Sequence, residues 1–277
     1  MDRVERPPRI SRVLGSRRRA VASQLPSVVR TTEDKENEGS YGSWRREFRR
    51  KYAALLDATR ENTKRSLQAS VAAEGRQISC RKECTFCCHH YVAVSLAQGL
   101  VIVDHLYRNR DLLQQFLDRY EEWREKAEAI SDEIDGIRNR ALASSAPMAG
   151  VIKDTRPLST RYFMTNIRCP FLVDGLCSIY PVRPLACSGH HSVSPPEWCA
   201  PDSQHKPEIR RMTPDDRDLL GMIQVADPWL TLFELALPTM VYRLLTEGSA
   251  AMTSVMHSQL VCDGRTGPDV QTGVAKQ

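Results

Sequence analysis

The segment from Cys80 to His90 constrains this chain more than any other part of its sequence. It reads C-R-K-E-C-T-F-C-C-H-H and holds four of the nine cysteines. Thiolates are soft, charged ligands for zinc, copper(I) and iron–sulfur clusters, whereas an isolated buried cysteine packs as a small apolar residue. This density of cysteines, and a second group further along the chain, therefore predict one metal centre built from both groups. The eight candidate ligands are Cys80, Cys84, Cys87, Cys88, Cys169, Cys177, Cys187 and Cys199.

The first cysteine group has the spacing of ligands that share an ion. Three residues separate Cys80 from Cys84, and two separate Cys84 from Cys87, so one turn can bring these sulfurs together. Cys88 follows Cys87 directly, and the side chains of adjacent residues diverge. The two thiols therefore serve different metals, or one of them is a spare or reactive thiol.

The second cysteine group lies in irregular backbone rich in proline and glycine. Asp174-Gly175 is a turn signal between Cys169 and Cys177, and it predicts a short hairpin whose ends present both sulfurs. Two prolines then stiffen the path to Cys187.

A histidine pair lies beside each cysteine group, His89-His90 in the first and His190-His191 in the second. Imidazoles complete zinc or iron sites and shuttle protons. For any single one of these histidines we favour a position next to the ligands or on the surface over a role as a ligand. Arg183 is either an anchor of the site or part of a surface ion pair.

Composition indicates a protein that does not cross a membrane. The chain has 277 residues, of which 41% are hydrophobic and 26% charged, an ordinary soluble balance. Its most apolar stretch, Pro228 to Leu245, contains Glu234 and Arg243, which favours buried helices over a membrane span. No secretory signal is visible. We therefore expect a cytoplasmic protein, in which nine cysteines indicate metal or redox chemistry more often than disulfides.

Positive charge is concentrated near the N-terminus. Residues 1 to 51 carry fourteen Lys and Arg against seven Asp and Glu, which leaves −2 of the net charge of +5 for the remainder. Low hydrophobicity with Pro, Ser and charge predicts disorder for the basic segment 1–40. An alternative is that the segment and the residues from Arg45 to Lys51 bind nucleic acid. We do not favour it, because the aromatic residues there lie on the apolar face of a helix.

Apolar periodicity predicts a mainly α fold, with helices packed around an irregular, cysteine-rich metal-binding centre. The long apolar seam from 113 to 137 is expected to pack within its own domain. Residues 142–168 are expected to form a loop back to the centre. The predicted helices are 41–73, one opened by a Ser95–Gln98 capping box, 113–137, one opened by Thr213 and ending near 225, and 229–246. The predicted organisation is a disordered basic segment (1–40), a helical metal-binding domain (41–250, with cysteine groups at 80–88 and 169–199) and a flexible tail (251–277) that includes Cys262.

The joint cysteine pattern permits comparison with known families. The spacing of the first three cysteines matches radical S-adenosylmethionine enzymes, but those resemble partial α/β barrels, unlike the helical chain predicted here. C-R-K-E-C-T-F-C-C followed by C-P-F-L-V-D-G-L-C-S-I-Y-P-V-R-P-L-A-C resembles the YkgJ-type cysteine-cluster family, also called the CxxCxxCC or zinc- or iron-chelating domain. The resemblance covers Cys80 to Cys199.

The resemblance implies a centre of iron, as an iron–sulfur cluster or a mononuclear ion, or of zinc. Its implied ligands are the seven motif cysteines, Cys80, Cys84, Cys87, Cys88, Cys169, Cys177 and Cys187. It also implies that Ile179, Tyr180, Arg183 and Pro184 shape the site. The family often has Arg after the last motif cysteine, where this chain has Ser188.

The same domain resembles part of the flagellin lysine N-methylases, which use S-adenosylmethionine with an iron–sulfur cluster. This implies a metal-dependent enzyme that modifies a protein or small-molecule substrate, although no nucleotide-binding glycine loop accompanies it. The leading hypothesis is a metal-binding protein of the YkgJ type. The alternatives are that enzyme and a metal-stapled, nucleic-acid-associated regulator. Catalytic residues, the number of metal centres and the oligomeric state are left open.

Overall fold

The computed structural model describes residues 38–81, 83–144, 147–222, 230–231 and 233–248, with the backbone alone for 38–47 and 148. The predictions for residues 1–37, for the break between the helices ending near 225 and beginning at 229, and for the tail with Cys262 lie outside these ranges. No helix within them is both long and apolar enough to span a bilayer.

The described chain is mainly helical, which confirms that part of the predicted fold class. Its helices are α1 (Glu38–Ala73), α2 (Leu96–Arg108), α3 (Arg110–Ala143), α4 (Met148–Met164), α5 (Leu185–Ser188), α6 (Asp216–Met222) and α7 (Leu237–Thr246). Its strands are β1 (Ala93–Ser95), β2 (Leu172–Val173), β3 (Leu176–Cys177), β4 (His190–Ser192), β5 (Ile209–Arg211) and β6 (Glu234–Ala236). They form three antiparallel pairs, β1–β6, β2–β3 and β4–β5. Short 3-10 helices span Phe86–His89, Tyr180–Val182 and Pro196–Cys199.

Helix α1 follows the predicted amphipathic pattern and ends where expected. Phe48, Tyr52 and Leu55 recur every three or four residues, and all three are buried in the core. Gly75, with φ of +70°, lies in the left-handed region just beyond the last turn. Because Phe48 and Tyr52 are buried, neither ring is available to stack on a nucleic-acid base.

Helix α2 confirms half of the predicted capping box. The Ser95 hydroxyl accepts from the Gln98 amide at 3.3 Å, as an N-cap should. The Gln98 side chain does not reach back to the cap. It donates to the Asp216 carboxylate at 2.6 Å and accepts from the Leu185 amide at 3.0 Å. Asp216 also accepts from Tyr52 and Ser95, so one buried carboxylate joins α1, α2 and α6.

Helix α3 packs its apolar seam within the domain. Tyr120 stacks on Tyr242 of α7 with ring centroids 4.0 Å apart. Trp123 donates through its indole nitrogen to the Tyr162 hydroxyl of α4 at 2.7 Å. The seam is therefore covered by α4 and α7 along much of its length.

Helix α4 lies where a loop was predicted, so that prediction is wrong. Pro147 and Pro157 favour a loop in the sequence, but Pro147 only precedes the helix and Pro157 lies inside it. A proline inside a helix costs about 3 kcal/mol through a lost hydrogen bond and a steric clash. Val151, Thr155 and Tyr162 are buried. Packing of this face against α3 outweighs that cost.

The C-terminal half differs from prediction at two places. Helix α6 begins at Asp216, and the side chain of Asp215, rather than Thr213, caps it by accepting from the Arg217 amide at 2.9 Å. The predicted last helix contains a strand, β6, whose Leu235 pairs with Val94 of β1. A strand of three residues has too short a pattern to separate from an apolar helix by periodicity.

Gly189, which connects α5 to β4, provides a test of the packing against Met212, the residue after β5. A Cβ atom on Gly189 would overlap the Met212 carbonyl, a backbone group whose carbon would lie 2.9 Å away. We expect Gly189→Ala to lower the free energy of unfolding by about 2 kcal/mol or more, as overpacking does. Urea unfolding followed by circular dichroism measures this.

Gly150→Ala in α4 is the matched control. A Cβ atom at Gly150 would meet nothing within 4 Å, so this variant should be neutral or slightly stabilised. Equal stabilities for the two variants would contradict the close approach at Gly189.

Candidate metal centre

All eight cysteines of the two groups line one cavity of about 100 Å³. The two groups, far apart in sequence, therefore come together as the predicted centre requires. A cavity of this volume has room for ions or small clusters, and it is smaller than the usual pocket for an organic ligand. Whether the thiols bind a metal remains a prediction.

Main-chain hydrogen bonds hold the two cysteine groups together. The Cys169 amide donates to the Cys88 carbonyl at 2.8 Å, and the Ser79 amide donates to the Ser192 carbonyl at 2.9 Å. The Ser192 amide in turn donates to the Cys80 sulfur at 3.1 Å. Both ends of the first loop are thus joined to the second cysteine group.

The predicted hairpin between Cys169 and Cys177 is confirmed. Asp174 and Gly175 have φ values of 49° and 76°, the two positive angles of a type I′ turn. Cys177 pairs with Leu172 across the hairpin. The turn folds the chain back so that both cysteines reach the cavity wall.

The thiols fall into two sets according to the cysteines whose charges raise their pKa. Cys87 raises the pKa of members of both sets. One set is Cys80, Cys84 and Cys199. The other is Cys88, Cys169, Cys177 and Cys187. The adjacent residues Cys87 and Cys88 therefore mark the boundary between the two sets.

Burial keeps most of these thiols protonated. It raises the pKa of Cys169 to about 12 and raises the pKa of Cys187 well above its usual value. Cys87 differs, because a hydrogen bond from the Cys88 thiol lowers its pKa to about 7 against the effect of burial. Thiolates are poorly stabilised here unless a cation compensates their charge.

Backbone amides counteract the effect of burial on the pKa at three of the cysteines. For Cys84, Cys169 and Cys177, an N–H···S interaction with the amide two residues further on lowers the pKa that burial raises. Such N–H···S bonds stabilise thiolates and tune the metals that they bind. Their repetition on three cysteines is typical of a thiolate site.

Arg183 lies in the cavity wall, as expected for an anchor of the site. Its guanidinium stacks over the Tyr180 ring at 4.3 Å from the centroid. Its positive charge favours the thiolate of Cys87, after the larger effect of the Cys88 hydrogen bond. Arg60 of α1 fixes the backbone of this segment by donating to the Arg183 carbonyl at 3.0 Å and to the Pro181 carbonyl.

Three residues that support the site were missed at the sequence level. Arg60 lies on the buried face of α1, four residues after Leu56 and seven before Leu67, so its charge on an apolar stripe was the signal that could have marked it. Ser192 acts on two cysteines, since its amide donates to the Cys80 sulfur and its side chain lowers the pKa of Cys199 against the effect of burial. Arg211 lies near the histidines from the partner strand β5. Its proximity to them follows from the β4–β5 register, in which it pairs with His190.

Three of the four paired histidines line the cavity, and His89 does not. His90 stacks on Phe163 with centroids 4.4 Å apart and tilts against His190 at 5.4 Å. The His191 Nε2 contacts the Ser188 carbonyl at 2.8 Å, while its buried Nδ1 has no partner among the described residues. His191 is therefore the histidine best placed to add a nitrogen ligand.

Within the described ranges, no three Cys, His, Asp or Glu side chains are arranged to hold one ion. The sulfurs share a cavity without converging on a point. No family model, curated protein or solved structure matches this chain. The resemblance to the YkgJ-type family therefore rests on the cysteine motif alone.

The histidine environment leads to a pH prediction for protein stripped of metal with a chelator. Burial, followed by the charges of neighbouring groups, lowers the pKa of His90 and of His190 to about 4. Both rings should stay neutral well below pH 6 in nitrogen-edited magnetic resonance spectra. Because the unfolded chain takes up these protons first, stability should fall as the pH drops from about 6.5 towards 4. Titration of both rings near pH 6.5 would contradict their burial.

Proposed function

We propose that this protein is a metal-binding cysteine-cluster protein of the YkgJ type. It would hold iron, in an iron–sulfur cluster or as a mononuclear ion, or zinc. The observation that carries the proposal is the meeting of eight cysteines from separate segments in one cavity. Cysteines that only pack as small apolar residues are not expected to cluster in this number.

The chemistry of the cavity fits a thiolate-bound metal. Repeated amide-to-sulfur hydrogen bonds and the Arg183 guanidinium favour thiolates that burial alone disfavours. The unpartnered His191 Nδ1 is a further donor on the wall. Binding would displace thiol protons and draw the sulfurs together, as in sites whose ligands settle only with the metal.

The two sets of thiols support two centres. Cys88, Cys169, Cys177 and Cys187 provide four sulfurs for one of them. Cys80, Cys84 and Cys199 provide three for the other, and Cys87 is available as the fourth. Four thiolates suit tetrahedral zinc or an iron–sulfur cluster. This division also explains why two neighbouring cysteines both belong to the motif.

Metal content and spectra of anaerobically purified protein test this function. We expect iron or zinc by elemental analysis and, for iron, thiolate-to-iron absorption and an electron paramagnetic resonance signal after reduction or oxidation. Folded protein that is colourless and free of metal would refute the proposal.

Single cysteine variants test the division into two centres. Cys177→Ser should remove the metal of one set and Cys199→Ser that of the other, so each should keep about half of the metal. Cys262→Ser is the matched control, because this ninth cysteine lies outside both cysteine groups of the sequence. Equal and complete loss from both variants would indicate one shared centre.

Arg183→Gln tests the electrostatic support of the thiolates. Loss of the positive charge should weaken metal binding about ten- to a hundredfold, as for other groups that orient or stabilise ligands. Competition with a coloured chelator measures this, and Arg183→Lys, which keeps the charge, should recover part of the affinity. Unchanged affinity in Arg183→Gln would show that the charge has no role.

One observation favours the second candidate, a metal-dependent modifying enzyme. A larger cavity of about 530 Å³ adjoins the first and shares Cys87, Cys187, His90 and His190 with it. This volume is usual for small-molecule sites. S-adenosylmethionine is a candidate cofactor from the methylase resemblance, and calorimetric titration of the metal-loaded protein tests it. Absence of binding would remove the methylase version.

A further inference from the structure

We propose that the larger cavity binds a small organic anion bearing a carboxylate or phosphate group and presents it to the cysteine centre. Binding of the anion requires only the residues of this cavity. The second part, that the bound anion meets a metal, rests on the proposed function.

One face of α4 forms a wall of this cavity. Ile152, Arg156, Ser159 and Phe163 follow one another at intervals of four or three residues, so their side chains lie on the same face. Arg161 lies on the opposite face, where it pairs with Glu133 of α3 at 2.8 Å. The helix therefore presents one basic residue to the cavity and another away from it.

The charge of the cavity points to an anion. Arg138, Arg156 and Arg211 line it, and none of the described lining residues is Asp or Glu. Arg138 is neutralised by Glu234. Arg156 and Arg211 form no ion pair within the described residues, so both guanidinium groups are available. Guanidinium binds carboxylate and phosphate through two parallel hydrogen bonds, which gives geometric selectivity as well as attraction.

Hydroxyl groups and an aromatic ring complete the site. Ser159 and Thr213 line the cavity, and neither hydroxyl has a protein partner in the described part of the chain. Each can donate to an oxygen of the ligand. Phe163, stacked on His90, adds apolar surface. This surface favours an organic anion over a bare inorganic one.

The larger cavity lies next to the cysteine cavity, so a bound anion would lie close to the thiols. Cys87 and Cys187 form part of both cavities, and His90 and His190 lie at their boundary. An anion held by Arg156 and Arg211 would therefore lie against the wall that carries these thiols. A cavity of about 530 Å³ suits a small molecule, and it is too small to enclose a folded partner.

Titration calorimetry of the full chain with succinate and with inorganic phosphate tests the site. Succinate binding would indicate a carboxylate ligand, and phosphate binding a phosphate ligand. We expect at least one to bind, with affinity reduced tenfold or more in Arg156→Gln and in Arg211→Gln. Arg161→Gln, from the opposite face of α4, should bind as the unaltered chain does. Circular dichroism confirms that the variants are folded.

The proposal is overturned if neither anion binds or if the three arginine variants bind equally. Repeating the titrations on chelator-stripped and metal-loaded protein separates this site from the proposed function. Anion binding by protein that takes up no metal supports the site while refuting the metal centre. Metal uptake without anion binding overturns the site alone. A shift in the metal spectrum as the anion saturates supports contact between the two cavities.

Discussion

The fold around the cysteines depends on main-chain hydrogen bonds that join two distant loops. The Cys169 amide binds the Cys88 carbonyl, and the Ser79 amide binds the Ser192 carbonyl. Neither bond requires a metal or an ionised side chain. The loops are therefore brought together by the polypeptide itself, and a metal would act on sulfurs that are already neighbours. This lowers the entropic cost of assembling a centre from ligands so far apart in sequence.

A second set of contacts connects the helical core to the same loops. Buried Asp216 accepts from Tyr52 of α1 and from Gln98 of α2. Gln98 also accepts from the Leu185 amide at the start of α5, the helix that carries Cys187. Arg60 holds the neighbouring Arg183 segment from α1. The position of Cys187 thus depends on residues of two long helices, so core packing and site geometry are coupled.

The two adjoining cavities differ in the chemistry of their lining residues. The smaller one is lined by eight cysteines and two arginines, Arg81 and Arg183, a composition suited to thiolates and a metal. The larger one is rich in arginines and hydroxyls, a composition suited to an anion. The stacked His90 and Phe163 and the neighbouring His190 lie where they meet. If both proposals are correct, the arginine and hydroxyl side chains of the larger cavity bind the anion and the cysteine loops hold the metal.

Sequence alone determined the features that depend on near neighbours in the chain. The periodicity of apolar residues predicted α1 and α3, the Asp174-Gly175 turn predicted the hairpin, and Ser95 predicted the start of α2. The cysteine clustering predicted which residues meet in one cavity. These signals are readable because helix faces, caps and turns are decided within a few residues.

Tertiary structure decided what depended on distant partners. Helix α4 formed despite Pro157 because its buried face packs on α3, and β6 formed because β1 offered it an antiparallel edge. The Gln98 side chain binds the Asp216 carboxylate and the Leu185 amide instead of its own helix cap, because these two groups lie within its reach only in the folded chain. The roles of Arg60, Ser192 and Arg211, and the separation of eight thiols into two sets, likewise arose from pairings across the chain, which no local pattern encodes.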